Sequence, residues 1–387
     1  MATDKRSVIS RSPQVAALHN GTVSHIVEMD DVDRASVIHP GAVVIPAALA
    51  VAERLEKGGR DLLAAVTLGY EVAIRIGESV GKTHYFHWHN TSTCGVFGAA
   101  AAAGWLLGLD RDRMVWALGN AGTQASGLWQ FIQEGAMSKH LHTGRAAANG
   151  VLAAELAECG FTGARRILEG SQGFWAATAP DGDPSAATSG LGEGWKLPGV
   201  SIKPYPSCRH THSAVDAALK LRERIGQLAP EQIASLEIDG YHSILDLCDN
   251  PNPNSLYAAK FSVHYTAARA LLDGHPRLND FSDEAIGEPR IAAVMARTTA
   301  RLDERLDRLY PAQFPARLTL TLADGRTLTE EVLSPKGDPE NALTREELES
   351  KFVGMLADTP YAGREQRYLE EIRRLPDRPT MRGLLTL

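Results

Sequence analysis

From residue 43 to 178 apolar positions recur at three- and four-residue intervals, the period of a helix with one buried face. IPAALAVAERLEKG predicts a helix with Pro46 in its first turn and Gly58 at its end. RDLLAAVTLGYEVAIRIGESVG predicts another, and DRDRMVWALGNAGTQASGL and GRAAANGVLAAELAECG two more, the last closing on Gly160. Almost nothing here alternates with a period of two. CGVFGAAAAAGWLLGL, residues 94–109, falls short of the ~20 residues a bilayer span needs. Its alanines and glycines predict a buried helix packed closely on its neighbours.

The texture changes at 179–206, which is rich in Pro, Gly, Ser and Asp and reads as a linker or hinge. Beyond it RHTHSAVDAALKLRERIG predicts a helix and ASLEIDGY a strand. RLTLTLADGRTLTEEVL predicts a hairpin, two alternating strands around an Asp-Gly turn. From LTREELESKFVGML onward the pattern is helical again. The fold class is therefore mainly α with an α+β second domain. The expected boundaries are 1–198 for the helical domain, 199–338 for the α+β domain, and 339–387 for helices returning to the first.

Composition narrows the function. With 387 residues, 44% hydrophobic, 22% charged and a net charge of −7, the chain is an ordinary globular protein with no basic block for nucleic acid. Its four cysteines, Cys94, Cys159, Cys208 and Cys248, are scattered without a CxxC, which favours a reducing, cytoplasmic setting over a zinc ribbon or an iron–sulfur cluster. The opening MATDKRSVISRSPQ lacks the apolar core of a leader peptide, so no membrane partner is expected.

Five stretches carry candidate chemistry. HNGTVSHIVEMDDVDRASVIHPG offers His19, His25, Glu28, Asp30, Asp31, Asp33 and His39; Pro40 keeps His39 out of a helix. In KTHYFHWHNTSTCG, NTST reads as the loop and cap before the alanine-rich helix, placing helix amides beside His89. In EGAMSKHLHTGRAAANG, Lys139, His140, His142 and Arg145 lead into a helix with HTG at the junction. KPYPSCRHTH holds Lys203, Arg209, His210 and His212 after two stiffening prolines. KFSVHYTAARALLDG puts His264 and Tyr265 just inside a helix. Lysines and arginines suit carboxylates, and histidines suit proton transfer. Each stretch also has a plainer reading: capping acids, surface salt bridges, a core tyrosine. There is no phosphate loop in strand–helix context and no serine elbow.

These motifs, in this order, resemble the MmgE/PrpD family, which includes 2-methylcitrate dehydratase, cis-aconitate decarboxylase and iminodisuccinate epimerase. The resemblance rests on NGTVSHIVEMDD, HPGAVVIPAALAVAE, HNTSTCGVFGAAAAA, GAMSKHLHTGRAAANGVLAAELAECGFTG, KPYPSCRHTHSAVDA and KFSVHYTAARALLDG. It implies a helical domain with a smaller lid, an active site in the cleft between them, a homodimer and no cofactor or metal. It places the family's catalytic residues on His39, His89, Lys139, Lys203 and Tyr265. Glu28, Asp31, His142, Arg145, Arg209 and His212 are the expected substrate-binding residues. Two departures stand out. The family's Asp-x-Asp-Asp followed by Thr or Ser reads Glu28, Met29, Asp30, Asp31, Val32 here. The chain also begins almost at the first motif, so exposed apolar surface is expected at that edge.

The implied chemistry is a carbanion formed beside a carboxylate, stabilised by Lys139 and Lys203, with His39 as acid–base, His89 as its partner and Tyr265 donating from the lid. The leading expectation is a cofactor-independent, 2-methylcitrate dehydratase-like lyase on a small di- or tricarboxylate. Epimerisation or decarboxylation of the same class, a non-catalytic carboxylate-binding protein, and a metal hydrolase using His84, His87 and His89 are the alternatives.

Overall fold

Small residues decide how closely the helices of the first half approach one another. The computed structural model describes residues 12–384, so the opening stretch read for a leader lies almost wholly outside it. The helices are α1 (Pro13–Ile26), α2 (Gly41–Arg54), α3 (Gly59–Ser79), α4 (Gly95–Leu107), α5 (Arg111–Gly122) and α6 (Ser138–Glu158). Every residue of α4 from Gly95 to Gly104 is buried, and α4 packs on α2, α3, α5 and α6. A Cβ on Gly98 would stand 2.4 Å from the Gly69 carbonyl oxygen, and one on Gly150 would stand 2.4 Å from Ala99 Cβ. These crossings exist because the positions carry no side chain. Among the described residues no helix is long and apolar enough to cross a membrane.

Helix α2 begins at Gly41, so Pro46 lies inside it and not in its first turn. The Gly41 amide donates to Asp31 Oδ1 (2.9 Å), which satisfies one of the first-turn donors and lets the helix start earlier. The segment read as a linker is tied down at its later part. Arg75 of α3 donates to the carbonyls of Ser189 (2.7 Å) and Gly190 (3.2 Å) and pairs with Glu71 at 2.5 Å. The other Glu71 oxygen accepts from the Lys196 amide (2.7 Å).

The chain divides into two compact units. The first holds residues up to Ile26, 30–200 and 346 onward; the second holds Val27–Met29 and Ser201–Arg345. In the second unit β1 (Ile233–Gly240), β2 (Thr298–Leu302), β3 (Ala316–Leu322) and β4 (Thr327–Val332) form a sheet ordered β2-β1-β3-β4. β1 and β2 are parallel; the other pairs are antiparallel. The β3–β4 hairpin is the predicted one, and β3 alternates buried and half-buried residues along its length. Helix α7 (His212–Ile225) covers β3 and β4 and packs on α8 (Val263–Asp273). Helices α9 (Arg345–Leu356) and α10 (Glu365–Arg373) follow, and Met381 beyond them is buried in the first unit's core, its amide donating to the Lys57 carbonyl (2.7 Å). The protein is thus mainly α, with a mixed four-stranded sheet in its C-terminal half.

Candidate functional site

Five imidazoles meet in the first unit, brought there by four segments. His25 sits in the last turn of α1, and His39 precedes Pro40 and α2. His89 stands ahead of a single helical turn, Asn90–Thr93, and His140 and His142 ride the first turns of α6. Ring centroids are 4.8 Å apart for His25 and His39, 6.1 Å for His25 and His89, 5.8 Å for His25 and His140, and 5.5 Å for His89 and His142. Lys139, buried in the same helix start, is close enough to act electrostatically on His89 and His142.

The loop before α2 fixes His39. Its amide donates to Thr91 Oγ1 (3.1 Å), and its Nδ1 lies 2.7 Å from the Asp31 carbonyl oxygen and 3.3 Å from Asp30 Oδ2. A ring nitrogen facing two acceptors carries the proton, so the lone pair of His39 lies on Nε2. Asp31's own carboxylate accepts from Tyr70 Oη (2.6 Å) and the Gly41 amide. Burial raises its pKa to about 6, these two donors pulling back against the rise. Its carboxylate therefore builds the loop.

The His89 amide donates to the Gly127 carbonyl (3.0 Å), and its carbonyl accepts from the Ser92 and Thr93 amides. NTST is thus a buried helical turn and not a loop, because its side chains have partners inside: Thr91 takes the His39 amide and Ser92 Oγ donates to the His142 carbonyl. His89 Nδ1 and His142 Nδ1 are 3.3 Å apart. Burial first, then Lys139 and neighbouring imidazoles, hold His89 well below the usual histidine range. Burial, His25 and Lys139 bring His142 down to about 4. Both rings are neutral at pH 7. Gly127, at φ 129°, is needed here: a Cβ would sit 3.2 Å from His142 Nδ1.

Lys139, His140, His142 and Arg145 lie within α6, not ahead of it. The helix starts at Ser138, and Gly144 of HTG is no boundary. Its missing side chain admits α1, since a Cβ there would meet the Leu18 carbonyl at 2.3 Å. Trp88, Leu128, Phe131, His142 and Arg145 line a cavity of about 520 Å³ on this unit, with His142 joining it to the imidazole group.

The remaining expected residues belong to the second unit. Lys203 Nζ pairs with Glu28 Oε2 at 2.9 Å, and both side chains are fully buried. Arg209 donates to Asp338, to the Lys336 carbonyl (3.0 Å) and to His212 Nδ1 (2.9 Å); His212 Nε2 reaches the Ser207 carbonyl (3.2 Å). The Tyr265 hydroxyl donates to the Asp280 carbonyl and accepts from Arg269 Nε (3.0 Å). Glu28, Arg209, His212 and Tyr265 all have partners within the fold. Cys208 is buried, its amide donating to the Lys260 carbonyl (2.9 Å).

His84, His87 and His89 do not converge. His84 turns to the Thr178 carbonyl and Thr93 Oγ1, His87 is exposed, and His89 joins the other imidazoles. Among the described residues the trio able to share an ion is His25, Asp30 and His39, with ligand atoms within 4.8 Å. His25 Nδ1 and Asp30 Oδ2 are 2.6 Å apart. Two ligands about 2.1 Å from one tetrahedral ion stand roughly 3.4 Å apart. The trio is therefore set for hydrogen bonding. His25, Asp30 and His140 stood among the candidates but outside the expected catalytic and substrate-binding residues; the available signal was a histidine five residues before an acid.

Comparison with known proteins matches the MmgE/PrpD N-terminal domain to residues 6–187 and the MmgE/PrpD C-terminal domain to residues 205–377. Cis-aconitate decarboxylase of Aspergillus terreus is 30% identical over 352 residues, 85% of this chain and 71% of that protein. Human cis-aconitate decarboxylase is 30% identical over 88% of this chain and 72% of its own length. The mitochondrial 2-methylcitrate dehydratase of Yarrowia lipolytica is 28% identical over 34% of this chain and 27% of its own length.

Proposed function

Because the chain belongs to the MmgE/PrpD family, we propose that its imidazole cluster serves a lyase reaction on a small tricarboxylate, foremost decarboxylation of a cis-aconitate-like acid. The observation that carries this reading is the His39 Nδ1 held by the Asp31 carbonyl, which leaves Nε2 for proton exchange with the substrate. Loss of carbon dioxide leaves the bonding pair on carbon, delocalised toward a neighbouring carboxylate. Protonated His39 delivers its Nε2 proton there, and Lys139 offsets the charge that builds up before delivery. Lys203, the second expected cation, is paired with Glu28.

Dehydration of a citrate-type acid is the second reading. It is favoured by His89, a neutral buried imidazole that can remove a proton while protonated His39 assists the departing hydroxyl. Incubation with cis-aconitate and with citrate-type acids in heavy water, followed by proton NMR, tests both. We expect product formation or solvent deuterium in the acid, and a 10²- to 10⁴-fold loss, on the order of one general acid–base group, in a folded His39→Gln variant. Undiminished turnover by that variant would overturn the assignment. Activity should survive EDTA; loss restored by one divalent metal would revive the metal reading. A homodimer, the family expectation, fits the exposed Leu128, Met137 and Leu141, and sedimentation tests it.

A further inference from the structure

His89 is almost wholly enclosed, with 1% of its surface exposed. His142 is half-buried and lines the cavity of about 520 Å³ beside Trp88 and Phe131. Leu128, Leu141 and Arg145 of the same cavity are exposed, so it opens to solvent. The two rings meet Nδ1 to Nδ1 at 3.3 Å, with centroids 5.5 Å apart. Each neutral imidazole has one N–H and one lone pair, so at this contact one Nδ1 donates and the other accepts. The choice on one ring therefore fixes the other. Where His89 carries its proton on Nδ1, its Nε2 is a lone pair and His142 carries its proton on Nε2. Both rings are held: His89 is edge-on to Trp129 (5.0 Å), and His142 is edge-on to Phe131 (5.5 Å).

We infer that His89 and His142 form a proton relay between the reacting acid and the solvent of the cavity, with His142 acting through His89. The inference rests on the reading of His89 as a group that removes a proton from the substrate. The substrate proton goes to the lone pair on His89 Nε2. The Nδ1 proton of His89 passes to the lone pair on His142 Nδ1, and the Nε2 proton of His142 leaves to solvent. One proton enters the pair and one leaves, both rings end neutral, and their N–H positions are reversed. A proton moving inward by the same steps restores them, and dehydration needs one such proton for each hydroxyl that leaves as water. The titratable and charged groups near the pair are His25, His39 and Lys139 on the buried side, and Glu134 and Arg145 at the cavity. Lys139 disfavours positive charge resting on either ring, so a proton arriving there is passed on.

Two readouts test the relay, one independent of turnover. In ¹⁵N-histidine-labelled protein, solvent exchange of the His89 ring proton should slow at least about 10-fold in His142→Gln, whose amide can hold the His89 contact but cannot pass a proton on. Free imidazole, small enough to enter the cavity, should restore that exchange in His142→Ala. With cis-aconitate or a citrate-type acid that turns over, both variants should lower kcat at least about 10-fold with KM within about 2-fold. Imidazole should recover most of the loss in His142→Ala and reach a plateau as it saturates the cavity. A His142 that merely positions His89 would be replaced by glutamine, with exchange and kcat near those of the parent. That result overturns the relay, and so does a folded His142→Ala variant that imidazole leaves unchanged in both readouts. If none of the acids turns over, the proposed function fails while the exchange experiment still decides the relay. If His142→Ala does not fold, His142→Gln decides it alone: slow exchange supports the relay, and parental exchange overturns it.

Discussion

At the residue scale the buried ion pair between Lys203 and Glu28 sets a clear expectation. Both side chains are fully buried, and Glu28 holds a left-handed φ of 55°. Lys203→Ala removes the ammonium partner of a buried carboxylate, which costs about 3–5 kcal/mol. The loss should appear in urea unfolding, and Glu28→Gln combined with Lys203→Met should recover much of it. An inactive Lys203→Ala variant is therefore not by itself evidence for catalysis. Lys139 behaves differently, since its charge is one reason His89 and His142 sit low. Lys139→Met should raise the His142 pKa above about 4 in an NMR titration while activity falls. An unmoved His142 would show that the lysine acts elsewhere.

At the element scale the helix crossings around α4 depend on absent side chains. Gly98→Ala drives a methyl against the Gly69 carbonyl, and Gly150→Ala drives one into α4. Overpacking of this kind costs about 1–3 kcal/mol. Gly194→Ala, with open space around it, should stay within about 0.5 kcal/mol of the parent. If thermal unfolding ranks all three alike, close packing is not what the glycines provide. The same logic explains Gly144: the residue that reads as a helix boundary lies inside α6 because α1 crosses there.

At the scale of the whole molecule, buried imidazoles make stability depend on pH. His84 is held neutral down to about 4, chiefly by burial, as is His142; burial also holds His89 well below the usual histidine range. Unfolded histidines take up protons near 6.5, so between about 6.5 and 4 the unfolded chain binds more protons and the fold is favoured less as pH falls. His84 alone can contribute up to roughly 3 kcal/mol over that window. Asp31 works the other way: it binds its proton near 6 when folded and near 3.8 when unfolded, favouring the fold as pH falls. His275 is lowered too, and Glu78, Glu155 and Asp216 are raised by burial like Asp31; a net loss is expected from the deeper drops of His84, His89 and His142. Urea midpoints should fall from pH 7 to pH 4.5, and a His84→Asn variant should show a shallower slope.

By itself the sequence determined the helical first half, the hairpin and the family, because these rest on local period, turn chemistry and ordered motifs. Helix α4 and the β3–β4 pair could be drawn from the alternation and spacing of apolar residues alone. It also marked His39, since proline restricts the residue before it. What only the tertiary structure decided is which polar groups meet. His25 and Asp30 meet at 2.6 Å because α1 ends where the loop before α2 turns back. Glu28 and Lys203, 175 residues apart in the chain, form one buried pair. Tyr265 and Arg209 have the residue types of a carboxylate site, yet their partners include backbone carbonyls, Arg269, His212 and Asp338. Hydrogen bonds and ion pairs act over a few ångströms of space and carry no period along the chain, so no reading of spacing could assign them.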